Sequence, residues 1–65
     1  MDDGMKTLIV YFRTKDYENS EWVNRFDWMT FKPERGETAA WLLNSMRVGW
    51  RQSYHDYELT NTTIG

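Results

Sequence analysis

No cysteine occurs in this chain, and at its length that absence constrains the fold more than any other feature. A domain of 65 residues buries only about 60% of the surface its unfolded chain exposes. Domains this small commonly lean on disulfides or a structural metal. Neither a disulfide framework nor a thiolate cage is open to this one. A single histidine leaves little for a zinc site or a histidine-based proton relay. The core must therefore come from ordinary side chains. Four Trp, four Tyr and three Phe supply the material, because each ring buries a large area for one residue.

Charge and hydropathy narrow the classes further. Eight Lys+Arg against ten Asp+Glu leave a net charge of −2, with a pI near 5.2. A nucleic-acid footprint ordinarily needs an excess of positive charge on one face. No apolar run approaches the 18 or so residues of a membrane span. The opening Met-Asp-Asp-Gly is acidic and leads into no apolar h-region, so no signal peptide is expected and the location is read as cytoplasmic. A mean hydropathy of −0.81 with few aromatics would suggest disorder. The aromatic content argues instead for one folded domain over 1–65, frayed at 1–5 and 62–65.

The pattern predicts four elements. Lys6 to Lys15, KTLIVYFRTK, is β-branched and aromatic over a run too short for a helix, and reads as a strand. Asp16-Tyr17-Glu18-Asn19-Ser20 is rich in turn formers. Glu21 to Phe31, EWVNRFDWMTF, alternates and reads as the second strand of a hairpin. Lys32-Pro33-Glu34-Arg35-Gly36 breaks it. Ala39, Leu42, Leu43, Met46 and Trp50 then fall on one helical stripe. Glu37 near the start suits the helix dipole, as does Arg47 near the end. Gly49 is expected just past the C-terminus, and an earlier start at Pro33 is open because Gly36 costs only about 1 kcal/mol inside a helix. Arg51 to Thr63 alternates again and reads as a third strand. The fold class is α+β, a three-stranded antiparallel sheet with one helix on one face, in the order β-β-α-β.

The hairpin register follows from a parity argument. Opposed residues of an antiparallel pair share a face, and a slip of one residue exchanges the faces. If opposed numbers sum to an even value, Leu8, Val10 and Phe12 join Trp22, Phe26 and Trp28 on one strongly apolar face. An odd sum leaves both faces mixed. The even register is therefore expected, with Phe26 and Trp28 under the helix. A bulge would undo the argument.

One helix can cover one face, so the other stays bare. In the even register that face carries Ile9, Tyr11, Arg13, Val23, Arg25, Asp27 and Met29, while Trp41 and Val48 fall off the helix stripe. A solvated sheet face is normally polar, and grouped large apolar side chains mark interaction sites. Tyr, Trp, Met and Arg are also enriched at interfaces. Tyr11, Arg13, Arg25, Met29 and Trp41 are therefore the candidate partner-binding residues, with a homodimer as one outcome. The competing explanation is a cross-strand ladder that only stabilises the hairpin.

Signals for catalysis are weak. His55, Asp56 and Glu58 resemble an acid–base cluster, but neighbours on a strand point to opposite faces. No G-x-S-x-G elbow, cysteine nucleophile or phosphate-cradling glycine loop occurs. No cofactor and no metal are expected. Asn61-Thr62-Thr63 fits an N-x-T acceptor pattern, which matters only on a secreted chain. Nucleic acid is the serious alternative partner: Arg13, Lys15, Arg25, Arg47 and Arg51 could line a stripe, with Tyr11 or Trp22 stacking on bases. Asp16, Glu18, Glu21 and Asp27 interleave with those cations and cancel the field.

From the helix to the last strand, GETAAWLLNSMRVGWRQSYHDYELTNTT, the chain resembles small phage-encoded accessory proteins. These share a hairpin, one helix with an A-x-x-L-like stripe, a glycine-containing turn and a closing Thr-rich strand. The resemblance implies a non-catalytic inhibitor or modulator of a host protein, acting in the host cytoplasm. It carries over no individual residue.

Overall fold

The computed structural model describes residues 4–65. The strands β1 (Lys6–Lys15) and β2 (Val23–Phe31) are followed by a 3-10 turn (Pro33–Arg35), the helix α1 (Ala39–Ser53) and β3 (Asp56–Ile64). The sheet is antiparallel in the order β2-β1-β3, so the expected α+β architecture holds. β1 is central and holds three side chains that are almost fully buried, Leu8, Val10 and Thr14. This is why the most continuous apolar run of the chain ends up there.

Local chemistry explains the junctions. Pro33 opens the 3-10 turn, where its missing N–H is no loss. Gly36 closes that turn at φ 82°, in the left-handed region, with its N–H donating to the Pro33 carbonyl at 2.9 Å. Glu37 stands outside the helix, and its Oε1 accepts from the Lys32 N–H at 3.0 Å. Thr38 is the cap: its Oγ1 accepts from the Trp41 N–H at 3.1 Å, which satisfies one of the four unpaired donors of a helix start. Gly49 does not end the helix as expected. The helix continues to Ser53 and stops at an extended Tyr54, so residues 51–53 belong to α1 and not to the third strand.

The register corrects the parity argument. Leu8 pairs with Met29, Val10 with Asp27 and Phe12 with Arg25, so opposed numbers sum to an odd value. The helix face of β2 therefore carries Val23, Arg25, Asp27, Met29 and Phe31, and Phe26 and Trp28 point to the opposite side. The core consists of Leu8, Val10, Phe12, Phe31, Leu42, Met46 and Trp50. Ala39, Leu43, Tyr54, Tyr57 and Leu59 pack against it. Trp50 anchors it, stacked on Phe12 at 4.1 Å between centroids and meeting Tyr57 edge-on at 5.6 Å.

The odd register is tolerable because α1 does not cover the whole sheet. It lies closest to β3, and the helix-side residues Val23, Asp27 and Met29 of β2 remain exposed. Arg25 makes itself compatible with that face in another way. Its guanidinium lies 4.9 Å from the Tyr54 ring centroid, and its Nε donates to the buried Thr14 hydroxyl at 2.7 Å. β3 pairs with β1 across a bulge at Tyr11/Phe12. Residues 62–64, where fraying was expected, lie in β3, and Thr7 and Gly65 exchange two backbone hydrogen bonds, at 2.8 and 3.0 Å. The fraying expected at 1–5 falls partly on residues 1–3, outside the described residues.

Candidate functional site

The bare sheet face exists, with a different membership. On β1 it carries Ile9, Tyr11, Arg13 and Lys15. On β2 it carries Asn24, Phe26, Trp28 and Thr30, and on β3 the opposed residues Glu58, Asn61 and Thr63. Phe26 is 69% exposed, Trp28 60% and Tyr11 41%. Tyr11 and Phe26 are direct cross-strand partners, and Ile9 pairs with Trp28. Neighbouring rings on adjacent strands form one surface, because facing pairs in a ladder lie about 5 Å apart.

The basic end of the face is internally neutralised. Arg13 Nη2 lies 2.9 Å from both Glu58 carboxylate oxygens. The Arg13 guanidinium also sits 4.6 Å from the Trp22 ring centroid, and the Lys15 ammonium 5.1 Å from the same ring. Trp22 is thereby clamped beneath two cations. Arg13 Nε is buried with no hydrogen-bond partner among the described residues. These contacts hold the cations against the protein, and Lys15 is opposed by Asp56 in the ladder.

The structure divides the five expected site residues. Tyr11 and Arg13 lie on the bare face. Arg25 and Met29 lie on the opposite, helix-bearing face. Trp41 projects from α1, 60% exposed, far from the ring cluster in the two-layer order. Phe26 and Trp28, which sequence reasoning placed in the core, are the most exposed rings of the bare face. Charge points the wrong way, because the observed register puts Arg25 and Asp27 on the helix side; the one contrary signal was Phe31, a core residue that the even register would have taken out of the core.

His55 and Asp56 are both exposed, and the His55 N–H donates to the Lys15 carbonyl. Among the described residues, no group of three or more His, Cys, Asp or Glu is placed to hold a metal ion. No helix among them is long and apolar enough to cross a membrane. The chain matches no family model, no curated protein and no solved structure.

Proposed function

We propose that this chain is a non-catalytic protein-binding module that engages its partner through the open sheet face. The observation that carries this reading is the cluster Tyr11, Phe26 and Trp28, three large rings exposed side by side on a face that none of the described elements covers. Aromatic anchors surrounded by polar residues are the anatomy of an interface hot spot. Here the rim is Arg13, Asn24, Thr30, Glu58, Asn61 and Thr63. Nucleic acid is the less favoured occupant, because Arg13 is paired with Glu58 and Lys15 faces Asp56. Phosphate binding draws on unpaired cations. A host-protein modulator of the phage accessory type is compatible with the β-β-α-β order and is offered as the partner class.

The test uses the parent chain and the double variant Phe26→Ser/Trp28→Ser as immobilised baits in a host lysate, followed by reconstitution with the purified captured protein. Sedimentation of both chains reads self-association. Retention of one defined protein, or a dimer, by the parent and its loss by a folded variant is expected. Equal retention by both chains would overturn the assignment. Retention that falls steeply with salt and copurifies with nucleic acid would favour the alternative.

A further inference from the structure

A second site lies on the opposite side of the sheet. Because α1 sits toward β3, a groove of about 430 Å³ opens between α1 and β2. Its floor is apolar: Phe12, Met46 and Trp50. One wall is β2, with Arg25, Phe26 and Asp27. The other is α1, with Ser45, Gly49 and Ser53, and Tyr54 closes the end. Ser45 to Tyr54 spans about 14 Å at 1.5 Å per residue, room for roughly four residues of extended chain. A Cβ built at Gly49 meets no atom within 4 Å, so the helix wall is low at that point.

Arg25 gives the groove its chemistry. Its Nε is committed to Thr14 and its guanidinium plane to Tyr54. Both partners hold the side chain still: Thr14 is fully buried, and Tyr54 packs on the core. The ion pair formed among the described residues is that of Arg13 and Glu58, and among them no carboxylate pairs with Arg25. A fixed guanidinium with free terminal nitrogens is a preorganised carboxylate receptor. Asp27, two residues along the same wall, repels a second carboxylate and leaves the Tyr54 end as the place for the first.

We propose that this groove binds an acidic peptide segment, with a side-chain carboxylate on Arg25 and a neighbouring apolar side chain on Trp50 and Met46. The occupant is a peptide because the groove is a trench of four-residue length bordered by serine hydroxyls, and charge complementarity at Arg25 sets the acidic residue. Phe26 belongs both to the groove lining and to the ring cluster, whereas Trp28 and Tyr11 do not line the groove, so Trp28 is the position that separates the two readings.

The test is an NMR titration of the full chain with a blocked Leu-Glu-Leu-Phe peptide, its Gln counterpart and sodium acetate. The Glu peptide should shift the Arg25 Nε–H and the Ser45, Gly49 and Ser53 amides saturably below about 10 mM, and the Gln peptide should bind about tenfold more weakly. Gly49→Leu, which puts a side chain into the trench from a position with open space at its Cβ, should abolish the shifts while leaving the circular dichroism spectrum intact. Trp28→Ser, at a ring outside the groove lining, should bind the peptide like the parent. Equal binding of Glu and Gln peptides, acetate matching the peptide, no saturable shift, or undiminished binding by Gly49→Leu would each overturn the proposal.

Discussion

Single side chains on either side of the sheet carry very different energetic weight. Trp50 is 6% exposed, stacks on Phe12 and meets Tyr57. Trp50→Ala removes a ring from a core with nothing to spare and should cost about 3–5 kcal/mol, read as a collapsed urea transition. Gly49 sits inside α1 with open space around its Cβ. Gly49→Ala should therefore raise stability by roughly 0.5–1 kcal/mol, the ordinary gain in helix propensity, seen as a later thermal midpoint. The Arg13–Glu58 pair is half-exposed, and breaking it with Glu58→Gln should change stability by no more than about 1 kcal/mol.

At the scale of elements, the strands and helix were legible because their periods differ and their breakers are plain. The strand ranges of β1 and β2 follow the apolar alternation, and α1 follows the Ala39-Leu42-Met46-Trp50 stripe. What was not legible was the pairing of β1 with β2. The last ladder pair joins Thr14 to Val23, which leaves a connection too long for a tight turn to dictate register. Apolar bulk then favours the even sum, because Phe26 and Trp28 outweigh Met29 and Phe31. The structure takes the odd sum because the helix footprint reaches only part of β2, so Asp27 stays wet and Arg25 finds Thr14 and Tyr54. The end of α1 was misread for a related reason: Gly49 reads as a stop, but nothing at that position requires a left-handed residue. The Arg25–Thr14 bond is predicted to matter for this pairing. Thr14→Val leaves Arg25 Nε without its acceptor inside the sheet and should cost about 1–3 kcal/mol, measured by denaturant titration with the hairpin amides followed by hydrogen exchange.

For the whole molecule, coverage is the governing problem. A chain with one helix and three strands has two sheet faces and material to roof about one. Here even the roofed face is incomplete, which opens the α1–β2 groove, while the other face presents rings to solvent. Of the candidate site, Tyr11 and Arg13 could be read from the sequence, and Arg25 and Met29 changed sides with the register. The existence of an apolar bare face survives the correction and is strengthened by it, since Phe26 and Trp28 replace Met29 and Arg25 there. The most direct measurement is the unfolding free energy of Trp28→Ser, determined in urea at low protein concentration beside the parent. An outward ring predicts a change within about 0.5 kcal/mol, as for other surface substitutions. A loss of about 3 kcal/mol or more, the signature of an emptied core position, would contradict the odd register and the binding face built on it.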